Sequence, residues 1–286
     1  MKSYNIAKDC KAIRTMLKMS QTDFAKEIGV SFSTINRIEN NRFNPLESTI
    51  EKIYSLGYKS QYKNMFINKA KSSVYLDEYK NVLFHGTDVD IDGELDLDHS
   101  RDRIDFGKGF YTGETYESTR DFVSYKNKIS VYAFKFDPKN LSILNMDVSL
   151  EWALAVSYYR GMLKEYENSK KLHVLIKKIE SYDVVVAPIA DNAMFDLINQ
   201  FARGDISDVQ LSCGMSASYL GMQYIFRKEK ALSHLEFIDR LYVSSKEHED
   251  ARKNKNDAND LGSSKAEMCV KEHRHQGRYI EDILYE

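Results

Sequence analysis

Two short helical segments separated by a glycine open this chain, in the run MSQTDFAKEIGVSFSTINRIENNRFNP at residues 19–45. Apolar residues recur at helical spacing on both sides of Gly29. Ser20 and Ser31 stand where helix N-caps are expected, and Gly29 suits the left-handed turn that ends a helix. Similar spacing runs from residue 8 to about residue 56, so the pattern predicts a bundle of four or five short helices.

The same run resembles the helix-turn-helix of phage lambda-type repressors and Cro, the XRE-like family, over about fifty residues. The resemblance implies that residues 1–58 bind double-stranded DNA, and we expect a homodimer on a two-fold operator. A helix N-terminus favours a phosphate, and side chains of the second helix of the motif reach base edges. The residues expected to face DNA are Gln21, Ser31, Phe32, Ser33 and Arg37.

Charge is unevenly distributed along the chain. Residues 1–60 carry ten Lys or Arg and six Asp or Glu, a net +4, whereas the whole chain carries −2 and the remainder therefore −6. Only the N-terminal segment is thus expected to meet nucleic acid. The residues leave open an alternative, in which the helical bundle binds a protein partner or serves for dimerisation.

The chain changes character after a polar, basic stretch at 59–80, which we predict to be a linker. Strands rich in β-branched and aromatic residues are predicted at 82–85, 129–136, 182–187 and 223–226. Helices are predicted at 116–125, 149–166 and 192–201, and from about 233 onward. This mixture predicts the α+β class, with a small all-α domain at 1–58 and a second domain at 81–245.

The C-terminal segment, residues 246–286, begins with a highly charged stretch that is either a solvated helix or a flexible linker. Ile280, Ile283 and Leu284 near its end are expected to dock a last helical turn.

Cysteine usage and hydropathy narrow the class of protein further. The cysteines Cys10, Cys213 and Cys269 are scattered, so we expect buried thiols, with no disulfide and no metal site. No apolar run approaches the ~20 residues of a membrane span, and the N-terminus lacks a signal-peptide core. A cytoplasmic protein without a membrane partner is therefore expected.

A second constraint comes from LFHGT at 83–87 and FGKGFYTGETYESTRDF at 106–122. Taken alone, His85 would be a turn or core histidine, and the glycines a turn leading into a strand. Together the two stretches resemble the NAD site of the ADP-ribosyltransferases, in the branch of the poly(ADP-ribose) polymerases and diphtheria toxin. Over residues 81–245 the chain also resembles a family of uncharacterised bacterial domains found in toxin–antitoxin contexts. The resemblance implies a split β-sheet domain with NAD as substrate.

The family's pattern assigns roles to seven positions of this chain. His85 would bond the adenosine ribose, the Gly86 backbone would hold the nicotinamide amide, and Thr87 would contact ribose. Tyr111 and Phe122 would stack on the nicotinamide ring, which is related to cation–π attraction, and the Thr119 hydroxyl would meet the carboxamide. The third catalytic position, a glutamate in the family, falls on Gln223.

Gln223 departs from the family because an amide carries no charge and cannot act as a base. Losing one such electrostatic element costs on the order of 100- to 1000-fold in rate. We therefore expect one ADP-ribose to be transferred to a protein, DNA or RNA acceptor, without chain extension. Glu229 and Asp191 are candidate compensating acids by sequence alone. Arg101 and Arg103 would meet NAD phosphates or pair with Asp98, Asp102 and Asp105.

Two further functions stay open on the sequence. A regulator could use a catalytically inactive domain to sense NAD or ADP-ribose, and an NAD glycohydrolase would use water as acceptor. By family context, an antitoxin protein is a further expected partner.

Overall fold

The computed structural model describes residues 4–59, 81–97, 104–190, 192–216 and 221–285 of the chain. Arg101, Arg103, Asp191 and all but one residue of the predicted linker lie outside these ranges. The chain forms two compact units. The first unit comprises Met1–Gly93, Thr115–Phe136 and Glu236–Lys253. The second unit comprises Glu94–Glu114, Asp137–Leu235 and Asn254–Glu286. In the described residues, no helix combines the length and the apolar character that crossing a membrane requires. The predicted domain boundaries stay predictions.

Four helices build the N-terminal bundle: α1 (Ile6–Met16), α2 (Gln21–Ile28), α3 (Phe32–Glu39) and α4 (Glu47–Gly57). The Ser20 hydroxyl accepts from the Asp23 backbone N–H at 3.1 Å, and the Ser31 hydroxyl accepts from the Thr34 N–H at 3.1 Å. Gly29 has φ +72°, a left-handed conformation that glycine adopts without strain. The predicted bundle, both caps and the turn glycine are thus confirmed.

The rest of the described chain alternates strands and helices, which confirms the α+β class. The strands are β1 (Val82–Thr87), β2 (Phe110–Gly113), β3 (Ser130–Phe136), β4 (Ile143–Asn145), β5 (Val184–Pro188), β6 (Met222–Phe226) and β7 (Leu235–Tyr242). The helices are α5 (Tyr116–Val123), α6 (Leu150–Tyr159), α7 (Lys170–Ser181), α8 (Asn192–Ala202), α9 (Asp208–Met215), α10 (Glu229–Leu232), α11 (Ser245–Glu272) and α12 (Ile280–Tyr285).

In the first unit the strands lie in the order β1-β3-β7. β1 pairs with β3 in the antiparallel sense, with Val82 opposite Lys135 and Thr87 opposite Ser130. Apolar residues of the N-terminal bundle and of these strands form one buried cluster. The Tyr54 ring lies 4.9 Å from the Tyr242 ring, measured between centroids. The helical bundle therefore shares a hydrophobic core with the sheet of its unit.

In the second unit the strand order is β4-β5-β6-β2. β4 and β5 are parallel, whereas β5–β6 and β6–β2 are antiparallel. The core of this unit is apolar and includes the fully buried Trp152 of α6. Ile280, Ile283 and Leu284 of α12 are buried in the same cluster, which confirms the predicted docking of the last helix.

The structure corrects one secondary-structure prediction and decides another that the sequence left open. The helix predicted from about residue 233 is wrong at its start, because residues 235–242 form β7 and the helix begins at Ser245. Apolar residues in LEFIDRLY fit both helical and strand spacing, so a short run of this kind is ambiguous in sequence. The charged segment after it, for which helix and linker were both open, is the 28-residue helix α11.

The expectation of unpaired cysteines is wrong for two of the three. Cys213 of α9 and Cys269 of α11 form a disulfide with a Cα–Cα distance of 5.6 Å. They are 56 residues apart, so only the path of the chain brings them together. Cys10 is a buried thiol as expected, and burial raises its pKa to about 12.

Candidate functional site

The exposed side of α3 carries the residues expected to reach DNA bases. Phe32 keeps 51% of its surface exposed, and Ser33 and Arg37 are exposed as well. The Arg37 guanidinium lies 5.0 Å from the centroid of the Phe43 ring, a cation–π contact that limits its freedom. Phe43 was not singled out from the sequence, although an aromatic residue just past a helix is the kind of signal that would have identified it.

The two polar residues at the helix starts are engaged within the protein. Ser31 caps α3 and shares a hydrogen bond of 2.9 Å with the Thr34 hydroxyl. The Gln21 Nε2 donates to Glu39 Oε2 at 2.7 Å, and its Oε1 accepts from Asn36 Nδ2 at 3.3 Å. A phosphate contact by the Gln21 side chain would have to compete with these bonds, and its role stays a prediction.

A partly buried ion pair holds α3 against α1. Arg14 Nε donates to Glu39 Oε1 at 2.6 Å and Nη2 donates to Oε2 at 3.0 Å, while Nη1 donates to the Met19 carbonyl. Burial alone would raise the pKa of Glu39, but the bonds from Arg14 and Gln21 outweigh it and lower that pKa below its usual value. Sequence reasoning missed this pair, whose partners interrupt otherwise apolar helix faces.

Five of the residues assigned to NAD lie in the first unit, at the end of β1 and on α5. His85 lies opposite Tyr132 in the β1–β3 pairing. The Thr87 Oγ1 accepts from the Val89 N–H at 3.0 Å, and the buried Thr119 Oγ1 donates weakly to the Phe84 carbonyl at 3.5 Å. Phe122, three residues beyond Thr119, keeps 42% of its surface exposed.

Gly86 is explained by packing without any ligand. A Cβ at this position would lie 2.9 Å from Val123 Cγ2 and 3.0 Å from the Thr119 carbonyl oxygen. Glycine therefore lets α5 approach β1 closely enough to bring Thr119 against the strand. The expected contact of the Gly86 backbone with a nicotinamide amide stays a prediction.

A buried polar cluster anchors α5, the helix that carries Thr119 and Phe122. Glu247 of α11 is fully buried and accepts from the Tyr116 hydroxyl at 2.6 Å and from Arg120 Nη1 at 3.2 Å. Arg120 also pairs with Asp121 at 2.6 Å. Burial and then the Glu247 charge raise the pKa of Tyr116, so its hydroxyl stays a neutral donor. One carboxylate, 127 residues after Arg120, thus bonds two side chains of α5.

Tyr111 and Gln223 lie in the second unit on adjacent strands. The Tyr111 hydroxyl donates to the Gly107 carbonyl at 2.7 Å and accepts from the Phe106 N–H at 3.1 Å. Burial, followed by the charge of Asp105, raises the pKa of Tyr111, which therefore remains protonated. Its ring is held by the turn that precedes β2.

Gln223 is 7% exposed, and its amide faces two acceptors. The Nε2 donates to Asp105 Oδ2 at 2.9 Å and to the Pro188 carbonyl at 3.0 Å. Asp105 in turn accepts from Arg160 Nε at 2.9 Å. The acid that contacts Gln223 is thus Asp105, whereas Glu229 lies exposed at the start of α10 and Asp191 lies outside the described residues.

The seven residues assigned to NAD are therefore divided between the two units. His85, Gly86, Thr87, Thr119 and Phe122 belong to the first, and Tyr111 and Gln223 belong to the second. Their assembly into one NAD site stays a prediction.

Comparisons with known proteins assign both parts of the chain. Residues 11–53 match the family described as helix-turn-helix, and residues 81–237, more than half of the chain, match the family described as protein of unknown function (DUF3990). No curated protein and no solved structure gives a significant match. The N-terminal segment is a helix-turn-helix, as predicted, and the resemblance of the second part to ADP-ribosyltransferases stays a prediction.

Proposed function

Since the chain belongs to the DUF3990 family of proteins of unknown function and begins with a helix-turn-helix, we propose that it is a DNA-binding regulator with an NAD-dependent second domain. The second domain would transfer one ADP-ribose to a macromolecular acceptor. The observation that carries the DNA-binding half is the exposed face of α3, fixed by the Ser31 cap and the Arg14–Glu39 pair.

The DNA-binding half follows from what α3 presents to solvent. An arginine can form two hydrogen bonds with a guanine edge, and an exposed aromatic ring can contact a thymine methyl group. Arg37 and Phe32 offer these groups from one short helix. With a net charge of only +4 in residues 1–60, tight binding needs two copies on a two-fold site.

Replacement of Arg37 by alanine is expected to weaken binding to the preferred duplex by about 5- to 150-fold, because one bidentate base contact contributes about 1–3 kcal/mol. The preferred duplex is first selected from a random pool, and affinity is measured by fluorescence anisotropy at fixed salt. Arg203→Ala is the matched control, since Arg203 is exposed in the second unit and pairs only with Asp205 among the contacts in the described chain. Equal affinity of Arg37→Ala and wild type would exclude α3 as the reading helix.

The NAD half is supported by the chemistry of the assigned side chains. Transfer breaks the bond between the ribose and the nicotinamide nitrogen, and nicotinamide leaves with the bonding pair. A new bond then forms between that ribose carbon and the acceptor, which loses a proton. The transition state resembles an oxocarbenium ion, as in glycoside hydrolysis. Aromatic rings such as those of Tyr111 and Phe122 suit a cationic nicotinamide ring, and a fixed carboxamide orients the leaving group.

A second candidate, ligand sensing without catalysis, is favoured by the surroundings of Gln223. The amide is uncharged, and the acid beside it, Asp105, is neutralised by Arg160. This local arrangement offers no net negative charge to an oxocarbenium ion. In this case NAD or ADP-ribose would bind and alter DNA binding without being consumed.

One incubation separates these functions. The full chain is mixed with a cell extract and NAD labelled in its ADP-ribose part. Labelled macromolecule is the result expected for transfer, free ADP-ribose indicates a glycohydrolase, and unchanged NAD that raises the melting temperature indicates a sensor. His85→Ala is expected to abolish whichever signal is seen, whereas His173→Ala, on an exposed face of α7, is not. If no labelled product forms and NAD does not raise the melting temperature, the proposed NAD function is wrong.

A further inference from the structure

The Gln223 amide sits among groups that can only accept hydrogen bonds. Its Nε2 has two N–H groups, and these point to the Asp105 carboxylate at 2.9 Å and to the Pro188 carbonyl at 3.0 Å. An ionised carboxylate and a backbone carbonyl donate no hydrogen bond. The orientation of the amide is therefore determined, with Nε2 toward these two acceptors and Oε1 turned away from them. Any bond to a ligand must be accepted by Oε1.

Asp105 connects this amide to the turn that holds Tyr111. Its Oδ1 accepts from Arg160 Nε at 2.9 Å, and its Oδ2 accepts from Gln223 and, weakly, from the Ala190 N–H at 3.5 Å. The next two residues of the same turn bond the Tyr111 hydroxyl through the Phe106 N–H and the Gly107 carbonyl. Asp105 thus bonds the Gln223 amide directly, and the backbone of the two residues after it bonds the Tyr111 hydroxyl.

The strand register places these two side chains on one face. Tyr111 lies opposite Ile225 and Gly113 lies opposite Gln223, so Tyr111 and Gln223 are diagonal neighbours on the β2–β6 pair. The residue directly opposite Gln223 on β2 is a glycine, which has no side chain to place against the amide. The Tyr111 and Gln223 side chains therefore belong to the same face of the β2–β6 pair.

We propose that Asp105 is a positioning residue, which requires glutamine at position 223 and directs its Oε1 to accept a hydrogen bond from a hydroxyl of the nicotinamide ribose. The ribose contact rests on the proposed NAD function, whereas the requirement for an amide rests on the protein contacts alone. The contacts around position 223 therefore favour glutamine over glutamate. The amide offers a hydroxyl the same oxygen acceptor that a glutamate would offer, but it lacks the negative charge of the glutamate.

The protein part is tested by the pH dependence of stability in Gln223→Glu. This change puts carboxylate oxygens against Asp105 and Pro188, so one carboxyl group must hold a proton in the folded state. Its pKa in the folded state is then above its unfolded value of about 4.3, so the stability of the variant is highest below that value and falls as pH rises toward about 8. The expected result is a urea midpoint that decreases between about pH 5 and pH 8 relative to wild type.

The second variant for this test is the double change Asp105→Asn with Gln223→Glu. It restores one amide and one carboxylate with their positions exchanged, so the additional pH dependence should largely disappear. A Gln223→Glu variant that follows the wild-type pH profile would overturn the proposal. So would a double variant that keeps the full pH dependence of Gln223→Glu, since the interaction would then not involve Asp105.

The ligand part is tested with NAD and with analogues that lack one hydroxyl of the nicotinamide ribose. Wild type should bind NAD about tenfold more tightly than one of these analogues, the effect of one hydrogen bond. In Asp105→Asn the ratio of NAD affinity to analogue affinity should fall towards one, because the amide is no longer oriented. The control Asp205→Asn alters an exposed ion pair and should retain the wild-type ratio. Simple loosening of the fold would weaken all ligands equally.

The outcomes separate the two proposals. If wild type binds no NAD but Gln223→Glu shows the expected pH dependence, the NAD function is wrong and the requirement for an amide stands. If NAD binds but no ribose hydroxyl contributes, or the preference survives in Asp105→Asn, the positioning role is overturned and the NAD function stands.

Discussion

Replacement of Glu39 by alanine is expected to lower the free energy of unfolding by about 3 kcal/mol and to abolish DNA binding at moderate protein concentration. Removing one partner of a fully buried ion pair costs about 3–5 kcal/mol because the other charge loses its compensation, and this partly buried pair is expected at the lower end of that range. Arg14 is 17% exposed and Glu39 4% exposed in their side chains, and two hydrogen bonds join them. Gln21 would lose one of its two partners at the same time, so the start of α2 and the end of α3 would both loosen.

Urea unfolding monitored by circular dichroism measures the change, together with anisotropy on the selected duplex. Glu27→Ala is the control because Glu27 pairs with Lys59 at the surface, where ion pairs contribute little. The pKa of Glu39 is lowered in the folded state, so its contribution is present above about pH 4.3 and is lost as pH falls through the folded-state value. The difference in the free energy of unfolding between wild type and Glu39→Ala should therefore decrease as the pH falls. A constant difference would contradict the assigned ion pair.

Replacement of Glu247 by alanine is the second change with a large expected effect, again about 3 kcal/mol. Glu247 is fully buried and accepts from Tyr116 and Arg120, whose side chain is only 2% exposed. Its removal leaves a buried guanidinium with Asp121 alone and a buried phenol without this acceptor. Because these groups anchor α5, we also expect the contacts of Thr119 with β1 to weaken.

The matched control for this change is Glu249→Ala on the same helix, where the side chain is 73% exposed and pairs with Lys246 one turn away. Thermal unfolding of both variants and hydrogen exchange of the α5 amides provide the measurements. Unchanged exchange in α5 together with wild-type stability in Glu247→Ala would show that α5 is held by its apolar contacts.

The helical bundle was predictable because its signals are local. Ser20 and Ser31 each bond a backbone N–H three residues ahead, and Gly29 adopts its left-handed conformation between two neighbouring helices. Interactions of this range can be found by reading adjacent residues. The strands β1, β3, β5 and β6 were found in the same way, from runs of β-branched and aromatic residues. β7 was not, because its apolar spacing also fits a helix.

The partners of buried polar residues were not predictable, with Gln223 as the clearest example. In the sequence it falls where the ADP-ribosyltransferases, to which a resemblance was predicted, have glutamate, and the candidate compensating acids were Glu229 and Asp191. In the structure its partner is Asp105, 118 residues earlier, and the partner of Asp105 is Arg160. The choice between amide and acid depends on these contacts, which the sequence pattern does not contain.

The sequence by itself determined the helix-turn-helix, the α+β class and the positions of most elements, because capping, turn conformation and apolar period act over a few residues. Tertiary structure alone decided which polar groups meet: Arg14 with Glu39, Glu247 with Arg120, Gln223 with Asp105, and Cys213 with Cys269. These pairs are separated by 25 to 127 residues. Buried polar groups need partners wherever the fold brings them, and only the path of the chain determines which partners are within reach.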